Sequence, residues 1–132
     1  MPTAYMSIKK TNKVIVVGGG AAGMMSAIWA GQAGAQVTLL EKNEKLGKKI
    51  YITGKGRCNM TNDCDGDAFM RCVPRNPRFL FAALRTLPPQ ELMAFMEANG
   101  CPVKVERGRR VFPVSDKASD VTRTLEKAMR RL

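Results

Sequence analysis

From residue 13 onward the apolar positions fall into discrete blocks. Val14-Ile-Val-Val17 is an unbroken β-branched run of buried-strand length. A helical stretch follows from Ala21 to Ala33, and Gly34 stands where a helix would stop. Gln36-Val-Thr-Leu-Leu40 predicts a second strand, ending at Glu41. Cys64 to Asn76 carries Asp, Gly, Pro and Asn and predicts irregular chain. Asn76-Pro77 suits a helix entry, with a short helix over Phe79–Leu84. Pro88-Pro89 opens another helix that shows Leu92, Phe95 and Met96 on one face and stops at Gly100. Val103–Arg107 and Arg109–Pro113 predict a hairpin turning near Gly108. Ser115-Asp116 can cap a last helix, whose apolar face is Ala118, Val121, Leu125, Ala128 and Leu132.

The first block contains an oddity. Between the first strand and its helix the chain reads Gly18-Gly-Gly-Ala-Ala-Gly23. An export or membrane segment would explain the apolar character, with Lys9, Lys10 and Lys13 as a basic start and Ala33-Gly34-Ala35 as a cleavage-like site. The glycines argue against it, since each weakens a helix by roughly 1 kcal/mol relative to Ala. The run is also too short and too interrupted to span a bilayer. A phosphate cradle explains more. Gly18 permits a sharp turn out of the strand, Gly20 lets backbone approach a pyrophosphate, and Gly23 lets helix and sheet pack closely. Ala21 and Ala22 offer amides at a helix N-terminus, where unpaired N–H groups favour an anion. Glu41 stands at the end of the second strand, where a carboxylate can accept ribose hydroxyls and repel a 2′-phosphate. The unit takes about 30 residues, the size of a βαβ dinucleotide-binding unit. The motif alone does not separate FAD from NAD.

Composition narrows the class further. The chain has 132 residues, enough for one domain with a modest core. Its make-up, 45% hydrophobic and 25% charged, is ordinary for a globular protein, but its net charge of +11 is not. Such a charge suits nucleic acid, anionic membrane or polyphosphate ligands. The absence of His removes His catalysis and His metal ligation, and Cys58, Cys64, Cys72 and Cys101 form no C-x-x-C, so no metal site is expected. Reduced thiols of a cytoplasmic protein are the expected state.

A second dense segment runs from Glu41 through Lys49 to Asn62. Lys45, Lys48, Lys49, Lys55 and Arg57 are concentrated there, with Gly54 and Gly56 for pliancy and Thr53, Asn59, Thr61 and Asn62 as short polar side chains. That composition suits an anionic ligand held by backbone amides, with Arg57 available for forked hydrogen bonds. On composition alone a solvated basic loop is an equal reading.

VIVVGGGAAG, VTLLEKNEKLGKKIYITGKGRCNMTN and GRRVFPVSDKASDV together resemble the BaiN-type, aminoacetone-oxidase-like family of NAD(P)/FAD-dependent oxidoreductases. The resemblance runs from about Lys13 to the end of the chain. It implies a Rossmann-like α/β FAD/NAD(P)-binding domain, incomplete in this chain: residues 1–12 an N-terminal extension, 13–132 the first part of the domain, with the remainder of a longer enzyme beyond. It implies FAD as the held nucleotide, with NAD(P)H as electron donor or acceptor. By that analogy Gly18, Gly20, Ala21, Ala22 and Gly23 hold the pyrophosphate, and Glu41 the adenosine ribose with Lys42 beside it. Lys49, Thr53, Gly54, Gly56, Arg57, Cys58, Asn59 and Thr61 are candidates for the pyrophosphate and flavin side, Arg57 and Asn59 foremost. Cys58 also reads as a small buried side chain.

The expected reaction is hydride transfer between a small organic substrate and flavin. No catalytic residue is named, because those are expected beyond Leu132, and this chain alone is expected to turn over little. The expected partner is a small molecule, with no specific nucleic acid and no membrane. The rivals are a small basic nucleic-acid-binding protein and a nucleotide-binding remnant without turnover. Against the first, the aromatic residues are few (five Phe, two Tyr, one Trp), and no aromatic-basic interleaving stands out.

Overall fold

The structure is a computed structural model and describes residues 11–132. The N-terminal extension up to residue 10, with Lys9 and Lys10 of the export reading, lies outside the described residues. Strand β1 (Lys13–Val17), helix α1 (Ala21–Gln32) and strand β2 (Gln36–Leu40) follow one another as the apolar blocks predict. The two strands pair in parallel, Lys13 with Gln36 through Val17 with Leu40. Helix α1 covers one face of this pair, the face carrying Val16, and a Cβ on Gly23 would lie 3.5 Å from the Val16 side chain. The opposite face is open. Ile15 is 67% exposed and Val17 83%, so the β-branched run is not buried on both sides as its composition suggested.

A 3-10 segment, Ile50–Gly56, leads to the two-residue strand β3 (Thr61–Asn62). Then come helix α2 (Gly66–Arg71), a 3-10 turn at Pro77–Leu80, helix α3 (Phe81–Thr86) and helix α4 (Pro89–Ala98). Strands β4 (Val103–Glu106) and β5 (Arg110–Pro113) form the hairpin, turning through Gly108 at φ +74°. They pair antiparallel, Val103 with Pro113 and Glu106 with Arg110, and β5 also pairs with β3. Helix α5 (Ala118–Arg130) closes the order and packs against α1.

Four expectations are corrected. Cys64–Asn76 is not wholly irregular: Asp65 accepts the Ala68 N–H at 2.6 Å and caps α2, a local bond strong enough to start a short helix. Phe79–Leu84 is not one helix, because the Pro77–Leu80 turn, entered from Asn76 at φ +48°, precedes α3. Neither Ser115 nor Asp116 caps α5; its cap position is Lys117, and the Asp116 carboxylate turns to Lys104 and Arg57 instead. Leu132 falls past the end of α5 and is 61% exposed.

The remaining apolar face of α5 is the centre of the core. Ala118, Val121, Leu125 and Ala128 are buried together with Met24 and Ile28 of α1, Ile50, Cys58, Met96 and Cys101. Phe112 and Val111 of β5 are also fully buried. This shared core binds the hairpin and the 3-10 segment to the βαβ unit. Among the described residues no helix is long and apolar enough to cross a membrane.

Truncating Leu125 to Ala leaves a cavity where α5 meets α1, and is expected to cost about 2–5 kcal/mol of stability. Lys127→Ala on the exposed side should stay within about 0.5 kcal/mol. Urea unfolding of both variants checks this; equal losses would contradict the assigned core.

Candidate functional site

The site begins where β1 ends. The Gly18 N–H donates to the Leu40 carbonyl at 2.7 Å, holding the ends of the two strands level. Gly19 is then gripped on both sides. Its N–H donates to Glu41 Oε2 at 2.7 Å, and its carbonyl accepts from the Gly47 N–H at 2.8 Å. A Cβ on Gly19 would stand 2.4 Å from Leu46 and 3.2 Å from Glu41, so only glycine fits without displacement. Gly23 is the second close approach: a Cβ there would lie 1.8 Å from the Gly18 carbonyl oxygen. Gly20 is different. Among the described residues a Cβ on it would meet nothing within 4 Å, and Gly20, Ala21 and Ala22 are all exposed.

The N-terminus of α1 therefore opens outward. No side chain caps it, and no acidic residue stands in its first turn. Its first N–H groups have no partner within the helix, which is the arrangement that receives a phosphate. A dinucleotide fits this cradle on that observation: free amides and a positive dipole end face open space over Gly20.

Glu41 has a double task, of which the sequence shows only a part. Besides Gly19, it accepts the Asn43 N–H at 2.7 Å and the Asn43 side-chain NH2 at 2.6 Å, both on Oε1. A carboxylate offers about four acceptor positions, so Oε2 keeps one open among the described residues. The Asn43 and Gly19 N–H groups hold this carboxyl below the usual range, because both favour the ionised form. Gly19, Asn43, Leu46 and Gly47 join the site without having been expected there. The only sequence signal was Asn two residues after a strand-ending Glu, a turn-forming pattern.

The second candidate group lies on the 3-10 segment and the residues after it. Gly54 has φ +55°, and a Cβ on it would press the Asn59 N at 2.8 Å and Phe112 at 2.9 Å. Thr53 Oγ1 donates to the Ile50 carbonyl at 2.9 Å. Asn59, with its NH2 turned to donate, faces the carbonyls of Thr61 at 3.0 Å and Val111 at 3.3 Å. Thr61 is in β3, paired with Val111. Cys58 is buried at 5% exposure, and burial pushes its thiol up, away from the reactive thiolate. Lys42, Lys49, Lys55 and Gly56 are exposed.

Arg57 is not free for a ligand in this arrangement. Its Nη1 donates to Glu106 Oε1 at 2.9 Å and to Asp116 Oδ1 at 3.0 Å, and its Nη2 donates to Glu106 Oε2 at 3.1 Å. Its guanidinium lies 4.0 Å above the Phe112 ring. Lys104 completes the cluster, 2.7 Å from Asp116 and 3.3 Å from Glu106. The Arg57 hydrogen bonds hold Glu106 below its ordinary value, and those of Lys104 do the same for Asp116. The cluster ties the segment before β3 to the hairpin and to the turn before α5.

Comparison with known proteins fits this geometry. Residues 12–132 match the family described as HI0933-like protein Rossmann domain. The chain belongs to that family. It is similar to a 3-dehydro-bile acid delta(4,6)-reductase of Clostridium scindens, 37% identical over 91% of this chain and 29% of that protein. It is also similar to a ribosomal RNA dihydrouridine synthase of Escherichia coli, 37% identical over 65% of this chain and 21% of that protein. An NADH oxidase of Thermoanaerobacter brockii is 49% identical over 36% of this chain and 8% of its own length. The chain thus spans 29% or less of the length of these relatives. The HI0933-like match extends over the βαβ unit, the hairpin and α5 alike.

The Glu41 clamp makes a pH prediction. A lowered carboxyl pKa stabilises the fold fully above the unfolded value of about 4.3, and that contribution fades as pH falls through the folded value. Glu41→Gln should therefore melt below the parent at pH 7, and the gap should close towards pH 3. A gap that stays constant in thermal melts across that range would contradict the clamp.

Proposed function

We propose that this HI0933-like chain is the FAD-binding portion of a flavin-dependent oxidoreductase acting on a small organic substrate. The observation that carries this is the open cradle, with the unpartnered α1 N-terminus facing empty space above Gly20 and Glu41 fixed beside it. In this reading the backbone of Gly18, Gly20, Ala21, Ala22 and Gly23 receives the pyrophosphate. Glu41 accepts one ribose hydroxyl on Oε2 while keeping Gly19 in place, with Lys42 beside it. Lys49, Thr53, Gly54, Gly56, Arg57, Cys58, Asn59 and Thr61 shape the flavin side, with Arg57 as the fixed centre of that segment. The flavin supplies hydride chemistry, and the protein supplies binding and orientation. NAD(P)H is the proposed electron source or acceptor.

The relatives support a narrower form of the reaction. A delta(4,6)-reductase and a dihydrouridine synthase both, by name, add hydrogen across a carbon–carbon double bond. We extend that class, reduction of a double bond, to the protein that contains this chain. The four unpaired cysteines support a reducing, cytoplasmic setting. The groups that deliver protons are proposed to lie outside this chain, which alone is expected to show little turnover.

Gly20→Val is the direct test. Its side chain enters the open space and should weaken FAD binding at least tenfold, read by quenching of flavin fluorescence. Folding should be spared, because no described residue lies within 4 Å of the new Cβ. Unchanged FAD affinity in the variant would overturn the cradle.

A further inference from the structure

Asn43 gives Glu41 more than a turn requires. Its N–H and its side-chain NH2 both donate to Glu41 Oε1, at 2.7 and 2.6 Å. The Gly19 N–H holds Oε2 from the other side at 2.7 Å. Donors on two sides thus fix the carboxylate in one orientation, and each favours its ionised form. A charge held in this way does not turn aside for an incoming anion. Asn43 also borders a second feature. A cavity of about 410 Å³ is lined by Lys42, Asn43, Glu44, Lys45 and Lys48. The three lysines are exposed, and none lies within salt-bridge distance of a carboxylate among the described residues. Three ammonium groups against the single carboxylate of Glu44 leave this cavity positive. Lys45 and Glu41 also line one common cleft beside β2. A loop that attracts phosphate therefore follows directly on a carboxylate that repels it, and Asn43 is the residue shared by both.

We propose that Asn43 is a positioning residue that sets the nucleotide specificity of the cradle: by pinning Glu41 it rejects a nucleotide phosphorylated at the ribose 2′ position, which the neighbouring lysines would otherwise accept. The inference rests on the cradle receiving a dinucleotide and adds which ribose it admits. Pinned, the carboxylate accepts a ribose hydroxyl and keeps its charge where a 2′-phosphate would have to stand. Without the Asn43 amide, Oε1 keeps a single N–H donor. The carboxylate is then able to turn away, and Lys42 or Lys45 can neutralise the phosphate. Specificity here comes from a fixed repulsion laid over a latent attraction. Its consequence is that a 2′-phosphorylated electron carrier does not compete with FAD for the seat FAD occupies.

The test loads the 132-residue chain with FAD and displaces it, read by flavin fluorescence, with ADP-ribose or with 2′-phospho-ADP-ribose. The parent should bind ADP-ribose about tenfold or more tightly than its 2′-phosphate. Asn43→Ala, and the isosteric Asn43→Leu, should each shrink that ratio by about fivefold or more, chiefly through tighter binding of the phosphorylated probe. Asn43→Ser, whose hydroxyl still donates, should keep most of the parent ratio. Asn43→Ala/Lys45→Gln should lose the gain that Asn43→Ala makes. A merely structural role would weaken both probes alike and leave the ratio where it was. The proposal is overturned if the parent binds the two probes equally. It is overturned as well if Asn43→Ala and Asn43→Leu keep the parent ratio, whatever their overall affinity. Failure of FAD to bind the parent would overturn the function proposed above and this inference with it; FAD bound with an unaltered ratio in the variants overturns this inference alone.

Discussion

The two hydrogen bonds on Gly19 are the constraint on which the rest of this structure depends. One comes from the end of β2 through the Glu41 carboxylate, the other from the return loop through the Gly47 N–H. Together they fix the peptide that links β1 to α1. With that peptide fixed, α1 starts at one place and its free amides point at open space. The crowding around Gly19 and Gly23 then has a physical purpose: the Leu46 and Glu41 side chains at Gly19 and the Gly18 carbonyl at Gly23 come so close that no further side chain fits. In the proposed function, binding energy for an anion arises from this order, since the amides need no rearrangement when the ligand arrives.

The Arg57 cluster does for the second segment what Glu41 does for the first. Two carboxylates, one guanidinium and one ammonium, all about a third exposed, hold the turn before β3 against the hairpin. Each pair taken alone is worth little at such exposure. The forked geometry on Glu106 and the Phe112 ring beneath Arg57 are what give the cluster direction. The glycine at 54 belongs to the same device, since its positive φ and lack of a Cβ let the backbone turn directly over Phe112.

The βαβ unit was legible because its signals are local. Four β-branched residues, a glycine run and a helix stop are read within a window of about 30 residues, and the strands and helix lie where that window put them. The hairpin and the buried part of the α5 face were legible for the same reason. What escaped was set by contacts across the chain. Arg57 looked like a ligand-binding fork because its carboxylate partners stand 49 and 59 residues away. Asp116 looked like a helix cap because nothing local announced Lys104. Leu132 kept the spacing of an apolar face but fell beyond the last helical turn. The exposed faces of Ile15 and Val17 escaped because a continuous apolar run does not say how many layers will cover it. Glu41 stands directly after the second strand as read, yet its bond to Gly19 spans 22 residues and could only be seen in three dimensions.

The central claim is that the backbone from Gly20 to Ala22 receives a dinucleotide pyrophosphate. The most direct measurement is a 15N–1H correlation spectrum of the protein titrated with FAD. Large, saturable shifts of the Gly20, Ala21 and Ala22 amides are expected, with the Gly19 amide perturbed through its Glu41 contact and the amides of α2 and α3 unmoved. Saturable shifts confined to the lysine-rich loop or to α2 and α3, with the Gly20–Ala22 amides still, would contradict it.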